Sequence, residues 1–379
     1  MLPVSGFCDA RFEPLRDILA ANLAAGEDLG ASVAVTLHGV PVVDLWGGWM
    51  DAAHTQPWRE HTITNVWSTT KTMTSLAALV LVERGELDVH APVAKYWPEF
   101  AANGKADVKV RHLMSHTSGV SAWAQPVQLE DLYDWEKSTA MLAAQAPWWT
   151  AGSASGYHAF NQGHLVGEVI RRITGKQLGQ FFAEEIAGPL GADFHIGLAP
   201  EHDHRVANIV PPPPLPFDLA ALGPDSVAFK TFTGPAPDPL MALTTAWRRA
   251  DIGAANGHGN ARSVARLQTL VANGGESYGV RLLSPKTIEL IFEEQSNGPD
   301  LALGLPLRFG IGYGLPDPQT VPDLPPGRVA YWGGWGGSFV LADVDRGLTF
   351  AYMMNKMAAG IIGGPRSNAL VKASYAALG

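Results

Sequence analysis

Residues 66–83 read VWSTTKTMTSLAALVLVE. After the first turn, apolar residues occur on nearly every side of this segment, which predicts a buried helix rather than an amphipathic one. Ser68 and Lys71 are three positions apart and therefore share one face near the helix start. A lysine in a core is costly unless it is paired or neutral. A neutral Lys71 would be a proton acceptor beside a hydroxyl, so Ser68 is the candidate nucleophile of an acyl-enzyme hydrolase.

The helix start adds unpaired N–H groups and a positive dipole end, which suit a developing oxyanion. The Ser-x-x-Lys spacing occurs once in the chain. Taken alone it is a weak signal, because a helix N-cap serine followed by a snorkelling lysine gives the same pattern. The rest of the chain must decide between the two interpretations.

Composition excludes several classes of protein. The chain has 379 residues, of which 46% are hydrophobic and 17% charged, enough for a large core in one or two domains. A net charge of −9 without a basic block argues against nucleic-acid binding. Cys8 is the only cysteine, so no intrachain disulfide or cysteine metal site is expected. The N-terminal residues lack a signal-peptide pattern and no segment predicts a membrane span, so we expect a cytoplasmic protein.

Apolar periodicity and turn residues predict secondary structure at both ends of the chain. The N-terminal part has a helix at 9–25 and a hairpin at Gly39. The C-terminal part ends in a helix at 366–377. The predicted strands are 31–38, 40–49, 309–314, 329–332, 337–343 and 348–354. This order predicts an α+β fold in which helices flank a central antiparallel sheet built from both termini.

A mainly helical insert lies between these parts. Its predicted helices are 131–144, 162–173 and 178–186, and a proline-rich stretch follows at 200–240, including Pro211–Pro216. That stretch is either a stiff connector or a wall over a cleft. We therefore divide the chain into a sheet domain, 1–88 with 258–379, and a mainly helical domain, 89–257.

Other reactive residue types have simpler explanations. Gly275–Gly279 matches Gly-x-Ser-x-Gly, but that nucleophile elbow needs a strand before Ser277 and a helix after it, and the prediction here is the reverse. His112 and His116 have the i, i+4 spacing of metal ligands but lack the glutamate and a third ligand of a zinc site. We interpret them, and His202 with His204, as structural, and expect no metal and no organic cofactor.

Three motifs in order resemble the serine β-lactamase and penicillin-binding-protein superfamily, and within it the family VIII carboxylesterases. Ser68–Lys71 is similar to the first motif of that superfamily. Tyr157-His158-Ala159 occupies the place of its Tyr-x-Asn element, and Trp332-Gly333-Gly334 the place of the Lys-Thr-Gly or His-x-Gly element on a strand edge. The likeness covers nearly the whole chain and implies a β-lactamase/transpeptidase-like fold.

The resemblance implies a role for each motif residue. Ser68 would attack an ester carbonyl, and Lys71 and Tyr157 would share the proton transfers, either of them serving as the base. The oxyanion would bind the backbone N–H groups of Ser68 and Trp335, each such donor being worth about 3 kcal/mol. Gly333 and Gly334 would keep the strand edge open for the acyl group.

Two departures favour an ester over a β-lactam. Ala159 replaces the asparagine, and Trp332 replaces the cationic or imidazole residue that helps to place a carboxylate. A carboxylate without that partner loses about 1.5–3 kcal/mol, whereas an uncharged ester needs only apolar surface such as Trp332 and Trp335. We expect a carboxylesterase for small esters of short or medium acyl chains. The alternatives are a β-lactamase or D,D-peptidase, an acyltransferase or amide hydrolase, and a catalytically silent binding module.

Overall fold

The computed structural model describes residues 3–213 and 219–379. Part of the proline-rich prediction, at Pro214, Leu215 and Pro216, lies outside the described residues. The described residues form a nine-stranded antiparallel sheet with helices on both faces, a three-stranded sheet, a two-stranded sheet and a mainly helical part. The predicted fold class is confirmed.

The strands follow in chain order. They are β1 (Ser5–Cys8), β2 (Gly30–Leu37), β3 (Val40–Gly48), β4 (Thr64–Asn65), β5 (Phe194–His195), β6 (His258–Gly259), β7 (Glu276–Ser277), β8 (Val280–Arg281), β9 (Ser296–Pro299), β10 (Pro306–Phe309), β11 (Gly314–Leu315), β12 (Val329–Gly333), β13 (Phe339–Asp343) and β14 (Leu348–Met354). The large sheet has the order β1-β3-β2-β14-β13-β12-β11-β10-β9. N-terminal strands therefore pair directly with the C-terminal strand β14.

The α-helices follow in the same way. They are α1 (Glu13–Ala24), α2 (Thr70–Glu83), α3 (Val110–Met114), α4 (Trp135–Ala144), α5 (Gln162–Thr174), α6 (Leu178–Phe182), α7 (Gly188–Leu190), α8 (Val227–Thr233), α9 (Thr245–Arg249), α10 (Ala261–Ala272), α11 (Pro285–Glu289) and α12 (Pro365–Ala376). A π-helical segment, Ala183–Ala187, joins α6 to α7.

Alternation along the strands separates two apolar layers. Val340 and Ala342 of β13 face the layer that contains α2 and α10, whereas Leu341 faces the layer of α1 and α12. Strands β12, β13 and β14 are buried along their whole length because helices cover both faces. Their near-continuous apolar sequence follows from this two-sided burial.

Helix α2 is buried from Thr70 to Leu81, as its sequence predicts. It packs against the helices α5, α6 and α11 and against the strand β12. The apolar cluster around it includes residues of both predicted domains, since Leu79, Val169 and Val340 all belong to it. The division into 1–88 with 258–379 and 89–257 therefore stays a prediction.

The structure corrects the strand prediction at 309–314. Strands β10 and β11 pair with each other there, and residues 310–313 form the turn between them. Gly312 has a φ of +85°, and a Cβ on Gly310 would lie 1.8 Å from the carbonyl oxygen of Ile291. The two glycines thus mark a turn rather than a strand. The short strands β1 and β9 were not predicted, because four-residue segments carry little periodic signal.

The predicted helix at 131–144 also begins later than expected. Residues Leu129–Leu132 form a 3₁₀ turn, and α4 begins at Trp135. The Asp134 side chain accepts a hydrogen bond from the backbone N–H of Lys137, which makes Asp134 the N-cap. Within the described residues, no helix combines the length and the apolarity that crossing a lipid bilayer requires.

Beyond the end of β12, the chain passes very close to the start of α2. A Cβ on Gly334 would lie 2.3 Å from the carbonyl oxygen of Val66 and 2.2 Å from Ser338 Oγ. Ser338 itself donates a hydrogen bond to Val66 O at 2.8 Å and accepts one from Gly334 N–H through its carbonyl. These contacts fix the strand end against the turn that carries Ser68.

We expect Gly334→Ala to lower the melting temperature and the ester-hydrolysis rate together, because the added methyl group must displace backbone. Overpacking of this kind costs about 1–3 kcal/mol. Gly364→Ala is the matched control, since a Cβ there meets no atom within 4 Å. Thermal unfolding and steady-state kinetics on both variants measure the effect. Equal behaviour of the two variants would contradict the close approach at Gly334.

Candidate active site

Ser68 lies in a 3₁₀ turn, Trp67–Thr69, that leads directly into α2. Trp67 has a φ of +50°, a left-handed conformation that is rare for a bulky residue. Its buried ring packs against Trp335 at 5.1 Å and Trp247 at 5.7 Å between ring centroids. This packing holds the strained turn, and it leaves Ser68 at the wall of a cleft.

Lys71 reaches Ser68 from the next turn. Its Nζ lies 3.0 Å from Ser68 Oγ and donates to the carbonyl oxygens of Ala159, at 2.8 Å, and Ala254, at 2.9 Å. The side chain is buried, and this burial holds the pKa of the amine well below its usual range. A neutral amine has two N–H groups and one lone pair. With both N–H groups on carbonyls, the lone pair faces the Ser68 hydroxyl.

Tyr157 completes this group from a segment without regular secondary structure. Lys71 Nζ lies 4.7 Å from the centroid of its ring. Burial raises the pKa of the Tyr157 phenol above its usual range, and interactions with Ser68 and Trp332 offset only part of that rise. The phenol is therefore a neutral proton donor at neutral pH. The structure thus brings Ser68, Lys71 and Tyr157 together, and their catalytic roles stay a prediction.

Trp332 has a different place from the one expected. It is 2% exposed, and the residues that line the cleft do not include it. Its indole Nε1–H donates to Tyr157 Oη at 3.2 Å, and its ring packs on Tyr157 at 5.3 Å between centroids. We therefore correct the expectation that Trp332 offers apolar surface to the ester. The buried Trp332 side chain contacts Tyr157 instead.

Gly333 and Gly334 also differ from expectation. A Cβ on Gly333 would lie 2.7 Å from Gly363 N, and one on Gly334 would meet Val66 O. Both glycines serve close packing against protein rather than an open strand edge for the acyl group. Their small size brings the backbone after β12 up to the turn that carries Ser68.

Trp335 follows this tight passage and lines the cleft. Within residues 3–213 and 219–379, the backbone N–H groups of Ser68 and Trp335 have no hydrogen-bond acceptor. Two free N–H groups on residues that line the same cleft as the Ser68 hydroxyl are of the kind that can bind a developing oxyanion.

The cleft is narrow and apolar. Its volume is about 60 Å³. Phe232 and Pro237 form part of its wall, so the segment 200–240 contributes to the cleft in its described part. The lining residues are Trp67, Ser68, Tyr157, Ala159, Phe160, Phe232, Pro237, Ala255, Trp335 and Ile361.

Ser277 is excluded as a nucleophile by its surroundings. It lies in the hairpin of β7 and β8, is fully buried, and donates to the carbonyl oxygen of Arg266 at 2.5 Å. Helix α10 precedes it instead of a strand. The Gly-x-Ser-x-Gly match is therefore a turn sequence, as the sequence analysis expects.

The histidines do not form a metal site. Among the described residues, no group of three or more histidine, cysteine, aspartate or glutamate side chains could hold a metal ion. His112 Nδ1 instead accepts the N–H of Lys109 at 3.1 Å. His202 lies 4.5 Å from His195 between ring centroids and pairs with Arg205.

His116 has a position that the sequence analysis missed. Its ring packs on Tyr157 at 4.9 Å between centroids, and its Nδ1 accepts the backbone N–H of His158 at 3.1 Å. Burial holds the pKa of His116 well below its usual range, so the ring is neutral and can accept. No local pattern in the sequence pairs position 116 with 158, since the contact depends on the fold.

Comparison with known proteins agrees with this geometry. The model of a family described as Beta-lactamase matches residues 15–364. The chain is 36% identical to the esterase/beta-lactamase LipL of Mycobacterium tuberculosis over 95% of this chain and 84% of that protein. It is similar to the crystal structure of a family VIII carboxylesterase, with a TM-score of 0.92, 41% identity and 99% of each chain covered. A penicillin-binding protein homologue from Caulobacter crescentus gives a TM-score of 0.92 at 37% identity, again over 99% of each chain.

A neutral Lys71 predicts a specific pH dependence of stability. The unfolded lysine keeps its proton up to about pH 10.4, whereas the native amine does not, so the unfolded state binds more protons. The free energy of unfolding of the wild type, relative to Lys71→Met, should therefore rise between pH 7 and 10 by up to about 1.4 kcal/mol per pH unit. Denaturant unfolding at a series of pH values measures this slope.

Lys105→Met is the control for that slope. Lys105 is also buried, but its Nζ donates to three carbonyl oxygens, those of Ala102, Ala143 and Gln145. Burial also lowers the pKa of Lys105, but three carbonyl acceptors suit an ammonium better than two. We therefore expect the free energy of unfolding of the wild type, relative to Lys105→Met, to rise less steeply with pH. If the difference in unfolding free energy between the wild type and Lys71→Met does not change with pH, Lys71 is charged in the native state.

Trp332→Phe should lower kcat by about 10-fold with a smaller change in KM, because it removes the N–H donor to Tyr157 while keeping an aromatic ring. Trp123→Phe is the control, since that buried indole donates to Ser138 O in the helical part instead. Steady-state ester hydrolysis by both variants is the measurement. An unchanged kcat in Trp332→Phe would remove the tryptophan from the positioning of Tyr157.

Proposed function

The chain belongs to the beta-lactamase family and is a serine hydrolase of that fold, and from this premise we propose that it is a carboxylesterase acting through a Ser68 acyl-enzyme. The observation that carries the proposal is the arrangement of Lys71. Its two N–H groups are used by Ala159 O and Ala254 O, so its lone pair remains for the Ser68 proton. Lys71 is accordingly our candidate for the general base of acylation.

Acylation follows from the placement of these groups. The Ser68 proton moves to Lys71 Nζ as Ser68 Oγ bonds to the ester carbonyl carbon. The resulting oxyanion binds the N–H groups of Ser68 and Trp335. When the ester C–O bond breaks, the Tyr157 phenol protonates the departing alkoxide and takes back a proton from Lys71.

Deacylation uses the same groups in reverse. A water molecule gives its proton to the Lys71 and Tyr157 pair as its oxygen attacks the acyl carbonyl, and Ser68 Oγ leaves with a proton. The carboxylic acid is released and the free enzyme is restored. General acid–base assistance of this kind contributes about 10²- to 10⁴-fold to each step.

The substrate preference follows from the cleft walls. The residues that line the cleft carry no formal charge, and buried Trp332 stands where the resemblance implies a carboxylate partner. A β-lactam carboxylate would be desolvated here without a counter-ion, whereas an uncharged ester would not. A cleft volume of about 60 Å³ suits acyl groups of a few carbons. A cytoplasmic location stays a prediction from the sequence.

A β-lactamase activity is the second candidate. The relative LipL is named both an esterase and a beta-lactamase, and it matches most of this chain. Both reactions share the acylation of one serine, so they differ in substrate placement and deacylation rather than in the nucleophile.

The test compares p-nitrophenyl acetate, butyrate and laurate with nitrocefin, using wild type, Ser68→Ala and Ser277→Ala. We expect Ser68→Ala to lose about 10³-fold or more of ester turnover, and Ser277→Ala to keep it. Acetate and butyrate should exceed laurate in kcat/KM, and nitrocefin should turn over slowly. Ester activity that survives in Ser68→Ala would overturn the mechanism, and fast nitrocefin turnover would favour the second candidate.

A further inference from the structure

The segment that carries Tyr157 needs an external support. Residues 155–158 belong to neither a helix nor a strand, so no backbone ladder fixes them. Tyr157 is nevertheless 2% exposed, and its hydroxyl must stay within reach of Ser68. The question is which groups accept the backbone N–H donors of this segment.

Asp300 is the group that accepts the N–H of Tyr157 itself. Asp300 Oδ1 lies 3.0 Å from Tyr157 N and is 2.9 Å from the backbone nitrogens of both Ala302 and Leu303. One carboxylate oxygen therefore ties its own loop to the tyrosine backbone. Asp300 is 1% exposed, so these bonds are shielded from competition with water.

The contact belongs to a wider junction between two loops. The loop at 300–305 connects β9 to β10, and Leu301 N–H donates to Ser155 O at 2.8 Å. Beyond the loop, Phe309 of β10 packs on His116 at 4.9 Å and on Trp332 at 5.2 Å between ring centroids. His116 and Trp332 both contact the Tyr157 ring, so one hairpin supports the tyrosine at its backbone and around its ring.

We propose that Asp300 is a positioning residue, which fixes the Tyr157 phenol for proton transfer at Ser68 by accepting the Tyr157 backbone N–H. The inference rests on the role proposed above for Tyr157. Asp300 lies outside the residues that line the cleft and contacts Tyr157 through the backbone. Its removal should therefore affect the chemical step more than substrate binding.

Three substitutions separate this role from general support of the fold. Asp300→Ser keeps a hydroxyl that can cap the local N–H groups of Ala302 and Leu303 but is too short to reach Tyr157. Asp300→Glu keeps the charge and moves the oxygen by one methylene. Asp300→Asn keeps an acceptor oxygen at the same reach, removes the charge and replaces the second carboxylate oxygen by an NH2 group.

We expect Asp300→Ser and Asp300→Glu to lower kcat by about 30- to 100-fold with KM changed less than about 3-fold, because small displacements of a reacting group cost that much. Asp300→Asn should restore kcat to within about 3-fold of wild type. Asp51→Ala is the matched control: Asp51 Oδ1 also accepts a loop N–H, that of Thr55 at 2.8 Å, away from the cleft. Its kinetics should equal those of the wild type.

A double-mutant cycle with Tyr157→Phe decides whether Asp300 acts through the tyrosine. If it does, Asp300→Ser should cost little in kcat once Tyr157→Phe is present. A folded Ser or Glu variant with wild-type kcat would overturn the inference, as would full additivity in the cycle. An active Tyr157→Phe would instead overturn the role proposed for Tyr157, so the two failures are distinguishable.

Discussion

The buried amine of Lys71 is the constraint on which the rest of this site depends. Moving a charged lysine into a core costs several kcal/mol. Burial therefore favours the neutral amine of Lys71 in the native state. Two carbonyl oxygens, from Ala159 and Ala254, accept its N–H groups and so orient its lone pair toward Ser68. These carbonyls come from loops almost a hundred residues apart. The base that we propose therefore depends on α2, the Tyr157 segment and the loop before β6 packing together.

Strained and tightly packed features beside Lys71 fix the position of Ser68. The left-handed Trp67, the close approach at Gly334 and the buried Ser338 hydrogen bond all hold the nucleophile turn against the backbone after β12. The left-handed conformation of Trp67 reduces stability when taken singly and persists only where the surrounding core fixes it. Here that core is α2, buried over most of its length. A site built on a buried helix start is more rigid than one built on exposed loops.

Local sequence suggested the pairing of Ser68 with Lys71, although their spacing alone was a weak signal for a catalytic site. Ser68 and Lys71 are one helical turn apart, and the apolar run after them predicts burial, so the paired amine and hydroxyl could be inferred from residues 66–83. A role for Tyr157 was predicted only from the family resemblance, because the sequence around Tyr157 has no periodic pattern. The role of Trp332 was predicted wrongly, since a strand residue points to either face and only the packed sheet shows which face meets Tyr157. Asp300 and His116 could not be inferred, because each acts through one long-range hydrogen bond to a backbone N–H.

The covalent intermediate provides the most direct test of the account. Wild-type protein is mixed with an excess of p-nitrophenyl butyrate, and the reaction is quenched in acid within the first turnovers. The protein is then digested and its peptides are analysed by mass spectrometry. The account predicts one butyryl group on the peptide that contains Ser68, and none on the peptide that contains Ser277. A butyryl group on any other residue, or hydrolysis with a pre-steady-state burst of p-nitrophenol but no adduct on Ser68, would contradict it.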